Sequence, residues 1–167
     1  MAIDLDALFW AGIAGIFAKR NLQVKGDVLN WEIDTTAAFL AVSRDLSCRH
    51  LIAGSADIRV RRDLKAEGIV VSSYNHGYME VSRDLHAKVV VVEDHNTIVG
   101  GRVHAIGFRE PSCGESEIKE SVWEKEILPE VRDEFLLPNG FRKCPNGNVD
   151  LVKALMAGRK ILHGQLD

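Results

Sequence analysis

His86 and Lys88 stand two residues apart in Leu85–Val92 (LHAKVVVV), a run whose β-branched residues predict a strand. On a flat strand that spacing sends both side chains from one face. An imidazole and an ammonium sharing an otherwise apolar strand are costly to bury unless partners or an anionic ligand compensate them. Glu93 and Asp94 follow and offer a carboxylate at the rim. Gly100-Gly101, on a returning strand, would let backbone amides approach a ligand without obstruction. The chemistry these types suggest is recognition of an anionic ligand by an imidazole, an ammonium and backbone amides.

The elements that must position these groups alternate between helical and extended patterns. Leu8–Ala18 (LFWAGIAGIFA) reads as a buried or partner-facing helix beginning near Asp4 and Asp6, where Gly12 and Gly15 allow close approach. Its 11 residues are too few to cross a bilayer as a helix, and acidic rather than basic residues precede it. Val28–Ile33 predicts a strand. Thr35–Asp45 places apolar residues at 38, 39 and 42, with 46 just beyond, which predicts a helix with Thr35 as N-cap. His50–Ala53 and Ile69–Ser73 read as buried strands, with a helix over Asp57–Glu67 between them. Thr97–Val99 and Val103–Phe108 read as strands after a turn at Asp94–Asn96. Residues 109–121 read as a polar loop, followed by helices over Glu115–Val131 and Val149–Leu162. No internal repeat is evident. The expected fold is α/β: a mixed β-sheet flanked by helices in one domain, residues 1–167. Residues 35–108 would form the motif-bearing core and 109–167 a helical C-terminal extension.

The spacing His86-Ala87-Lys88, four valines, Glu93, six residues and Gly100-Gly101 resembles the HKD signature of the phospholipase D superfamily. That signature runs H-x-K, four residues, D, six residues, G-S. The order of elements over residues 35–104 is also similar to what precedes the motif in that superfamily. The resemblance implies His86 as the nucleophile that forms a phosphohistidine, Lys88 as the phosphate clamp, and Glu93 or Asp94 as the orienting carboxylate. Glu93 stands where the family has Asp, and Gly101 where it has a hydroxyl. One H-x-K per chain implies a homodimer that brings two copies of His86 together, as in small single-motif nucleases of the superfamily. The implied activity is phosphodiesterase or nuclease. The alternative is a catalytically impaired binding or regulatory protein that recognises an anionic ligand or nucleic acid.

The remaining features bound that reading. The 167 residues carry 21 Lys+Arg against 24 Asp+Glu, so no basic excess announces nucleic acid or a membrane. Cys48, Cys113 and Cys144 form no CxxC pair, which suits reduced thiols in a cytoplasmic protein. No cofactor is implied, and the phosphoryl-transfer route is metal-free. His76, His86, His95 and His104 invite a metal hypothesis, but their spacings match no standard ligand box. Tyr74 and His76 in YNHGY would line the site from the preceding loop. Arg59, Arg61, Arg62 and Lys65 are candidates for phosphate-backbone contacts or for a solvated helix face.

Overall fold

The computed structural model describes residues 1–31, 37–73, 76–93, 95–109, 123–127 and 157. Within them the chain winds as successive coils. The first coil holds β1 (Ile3–Asp4), α1 (Leu5–Trp10), β2 (Gly15–Ala18) and β3 (Leu22–Gln23). The second holds β4 (Val28–Leu29), β5 (Phe39–Val42) and β6 (Leu46–Cys48), and the third β7 (Leu51–Ala53), β8 (Asp57–Val60) and β9 (Leu64–Ala66). β10 (Ile69–Ser73), β11 (Tyr78–Val81) and the first residues of β12 (Leu85–Glu93) make the fourth. The rest of β12, then β13 (Asn96–Val99) and the start of β14 (Val103–Arg109), make the fifth; β15 (Trp123–Ile127) pairs with β14.

Among the described residues every pairing is parallel, and each strand pairs with its counterpart one coil away. The molecule is therefore a parallel β-solenoid, with one short helix among the described residues, not a mixed sheet flanked by helices. Its wall has three faces. Face one stacks β1, β4, β7, β10 and the second half of β12; face two stacks β2, β5, β8, β11 and β13; face three stacks β3, β6, β9 and the starts of β12 and β14.

The physical reason is alternation. On β8 and β9, Ile58, Val60, Leu64 and Ala66 are buried while Arg59 and Lys65 are exposed, a period of two interrupted by the turn at 61–63. The same residues mimic a helical stripe when read by i, i+3 and i+4, and the helix expected over Asp57–Glu67 is thereby corrected. In Thr35–Asp45, Leu40 and Val42 point inward and Ala41 is half-exposed, so its described part is β5 rather than a helix; the proposed Thr35 cap lies outside the described residues. The apolar Leu8–Ala18 segment splits: α1 ends at Trp10, Gly12 turns at φ +77°, and β2 begins at Gly15. At least part of the helix expected over Glu115–Val131 is strand, β15. Val149–Leu162 lies almost wholly outside the described residues.

Repetition, absent from the sequence expectation, organises the core. Leu22, Leu46, Leu64, Leu85 and Val103 occupy one register position, and Leu40, Ile58, Met79 and Thr97 another. Each fully buried Leu contributes about 1.5–3 kcal/mol. Face one is buried on both sides: Ile52, Val71 and Val91 are as hidden as their neighbours Leu51, Val70 and Val90. Such strands read as continuous apolar runs.

A polar column holds the coils together at one corner. Asp45 N–H donates to Asn21 Oδ1 (3.4 Å), Asp63 N–H to Asp45 Oδ1 (3.3 Å), Asp84 N–H to Asp63 Oδ1 (3.4 Å) and Arg102 N–H to Asp84 Oδ1 (2.8 Å). Each side chain thus satisfies a backbone donor of the following coil, at the turn where the sheet ladder is interrupted.

Candidate functional site

The outward row of face three gathers the polar side chains that the fold aligns most closely. Gln23, Ser47, Lys65, His86 and His104 occupy consecutive rungs at one register position. Adjacent rungs of a sheet lie about 4.8 Å apart. His86 and His104 accordingly stack, with ring centroids 4.5 Å apart and planes within 8°. Asp84, at the turn entering β12, completes a cluster: one ligand-type atom from each of Asp84, His86 and His104 lies within 4.8 Å of the others. All three are half-buried. The backbone N–H of Arg102 holds the Asp84 carboxyl below the usual carboxylate range; burial opposes it, and the nearby His104 and His86 add to the lowering. Among the described residues this is the group of His, Cys, Asp and Glu placed to hold a metal ion.

Lys88 is placed differently from the flat-strand expectation. The register of β12 against β14 shifts between His86 and Val89, where the chain turns from face three to face one. Lys88 sits at this corner, exposed, its N–H donating to the Gly68 carbonyl at 2.7 Å. Its charge reaches His50, whose imidazole is pushed down mainly by burial. Glu93 ends β12 on face one, in register with Ser73. Asp94 and Tyr74 lie outside the described residues. His76 is exposed at the corner between faces one and two.

Gly100 and Gly101 serve the stacking of coils. Their N–H groups donate to the carbonyls of Val81 and Arg83, both at 2.9 Å. A Cβ at Gly101 would collide with the Asp84 carboxylate and the Arg83 backbone. The glycine therefore makes room for the Asp84–Arg102 bond. β12 and β13 lie in different sheets, so the strand expected to return after a turn at Asp94–Asn96 does not pair with β12. His95 is turned inward, with Nδ1 2.8 Å from Thr97 Oγ1, and takes no part in the cluster.

A groove of about 390 Å³ opens farther along face three, lined by Gln23, Lys25, Ser47, Cys48, Lys65 and Glu67 among others. Burial pushes the Cys48 thiol up to about 12, so it is an inert part of the wall rather than a nucleophile. Face two carries a separate polar network. Arg59 bonds Asp57 through both carboxylate oxygens, its guanidinium lies 5.0 Å over the Tyr78 ring, and Tyr78 OH donates to Glu80 at 3.1 Å. Arg59, Arg61, Arg62 and Lys65 thus belong to two solenoid faces and a turn, not to one helix.

No family model, curated protein or solved structure matches the chain. The phospholipase D resemblance is overturned by the architecture: that fold needs a helix-flanked α/β sheet, and this chain is a parallel solenoid. With it goes the support for hydrolase and HKD-type descriptions. Asp84 was not among the residues singled out from sequence. The signal that finds it is the recurrence of V-x-R-D-L at 42–46, 60–64 and 81–85. No helix among the described residues is long and apolar enough to cross a membrane.

Proposed function

We propose that the protein is a β-solenoid scaffold that assembles head to head with a second copy through its first coil. The observation that carries this reading is the distribution of exposed apolar side chains. Met1, Trp10, Ile13, Phe17, Trp31 and Phe39 are the large exposed hydrophobics among the described residues, and all fall in the first two coils. Phe17 and Trp10 are 61% and 67% exposed. Concentrated apolar surface of this kind marks an interaction site.

The strands at that end favour a second copy as occupant. Among the described residues β1, β2 and β3 each pair on one side only, with β4, β5 and β6. β2 (Gly-Ile-Phe-Ala) has neither charge nor proline to blunt its free edge. Two such edges meet antiparallel about a two-fold axis without like-charge repulsion, and the contact is self-complementary. A homodimer was also expected from the sequence, but on the ground of a shared histidine site that the fold no longer supports. The alternative of an anionic ligand retains one physical support, the pair Lys25 and Lys65 lining the face-three groove.

Light scattering of the full chain tests the assembly. The wild type is expected to have twice the chain mass, and Phe17→Glu to have the single-chain mass with an unchanged far-ultraviolet circular dichroism spectrum. A monomeric wild type at high micromolar concentration, or a Phe17→Glu variant that still dimerises, overturns the reading.

A further inference from the structure

We propose that Asp84, His86 and His104 form a binding site for a divalent transition-metal cation of the zinc or copper type. The site arises from the fold. His86 and His104 are 18 residues apart in sequence but one rung apart on face three, because β12 and β14 are paired with these two residues in register. Asp84 lies at the turn immediately before, and its Oδ1 is fixed by the Arg102 N–H at 2.8 Å. That bond orients the carboxylate in the way outer partners orient metal ligands.

The composition of the cluster selects the ligand class. A carboxylate beside two imidazoles disfavours an anion and suits a cation. Two nitrogen donors favour zinc, copper or nickel over magnesium or calcium, which prefer all-oxygen shells. Three protein donors leave at least one coordination position to water. The donors already lie within 4.8 Å of one another, so no movement of the backbone is required. Two parallel, stacked rings keep their in-plane lone pairs in separate planes that do not converge on one point. Capture of one ion therefore turns the imidazoles about χ2, a soft torsion for histidine, and breaks the stack. Lys65, the next rung beyond His86, is exposed and can swing its ammonium into solvent.

Titration calorimetry of the full chain with Zn²⁺, and electron paramagnetic resonance of the Cu²⁺ form, test the site. The wild type is expected to bind one equivalent of Zn²⁺, and Cu²⁺ to show hyperfine splitting from two imidazole nitrogens. His86→Ala and His104→Ala should each leave one of those nitrogens. Each should also weaken Zn²⁺ binding by at least the roughly 10–100-fold that loss of an outer-shell partner costs. Asp84→Asn keeps an oxygen for the Arg102 N–H but removes the anionic donor, and is expected to weaken Zn²⁺ without loss of fold. His76→Ala should leave binding unchanged. Absence of Zn²⁺ binding by the wild type, wild-type affinity in any of the three site variants, or displacement of Zn²⁺ by equimolar Mg²⁺ overturns the proposal.

Discussion

The Asp63 carboxylate accepts the backbone N–H of Asp84, 21 residues away in sequence, at 3.4 Å, while Asp63's own N–H is held by Asp45. Asp63 thus links the third coil to both of its neighbours. Arg83 adds an ion pair to it at 3.6 Å, but the guanidinium is half exposed, so this pair contributes little.

Replacing Asp63 by alanine strands a backbone donor at the turn. Urea unfolding of Asp63→Ala is expected to show a loss of about 1–2 kcal/mol. Asp63→Asn should lose markedly less, since Asn21 fills the same role at the first rung. Equal loss in both variants would show that the column acts by charge rather than by hydrogen bonding.

Asn30 should be less forgiving. It is fully buried; its Oδ1 accepts the N–H groups of Gly54 (3.0 Å) and Ala56 (2.7 Å), and its Nδ2 donates to Asp6. Asn30→Asp sets a carboxylate against Asp6 and removes the donor between them. The expected cost is about 3–5 kcal/mol, the range for an uncompensated buried charge, read as a fall in the urea midpoint. Asn30→Asp should recover part of that loss as acid protonates the new carboxyl.

Acid should destabilise the protein in two separate steps. Burial pushes His95 down to about 4, from an ordinary 6.5, and lowers His50 in the same sense. The unfolded chain therefore takes up these protons first. Stability is complete above about pH 6.5 and is lost as pH falls toward 4; His95 alone accounts for about 3 kcal/mol. Asp27 acts lower. Its bidentate bond to Arg49, at 2.8 and 2.6 Å, outweighs burial and holds its carboxyl below 3.8. Its contribution is present above about 3.8 and disappears as pH drops through the depressed value. Unfolding midpoints measured from pH 7 to 2.5 should show both windows. His95→Asn should flatten the upper one and Arg49→Gln the lower.

Strand positions were more legible than architecture. His50–Ala53, Ile69–Ser73 and Leu85–Val92 read correctly as strands because their face-one residues 51–53, 69–71 and 89–92 are buried on both sides and leave apolar runs. Asp57–Glu67 misled because two short alternating strands separated by a turn at 61–63 put Ile58, Arg61 and Leu64 three apart, as a helix would. The varying period of the repeat hides it in the sequence. Equivalent leucines are spaced by 24 residues (Leu22 to Leu46), then 18 (to Leu64), then 21 (to Leu85). The His86–His104 stack depends on that register, so neither the partner of His86 nor the role of Asp84 was readable without it. His86 was singled out on strand grounds; Lys88 was joined to it by assuming a straight strand where the chain turns a corner.

The unequal coil lengths have a practical corollary. The difference falls between faces one and two: Val28 to Leu40 spans 12 residues, Leu51 to Ile58 spans 7 and Val70 to Met79 spans 9, while Leu40 to Leu46, Ile58 to Leu64 and Met79 to Leu85 each span 6. The wall therefore accommodates a variable length of chain between those two faces while its inward residues stay aligned, so a change of length there costs the alignment least.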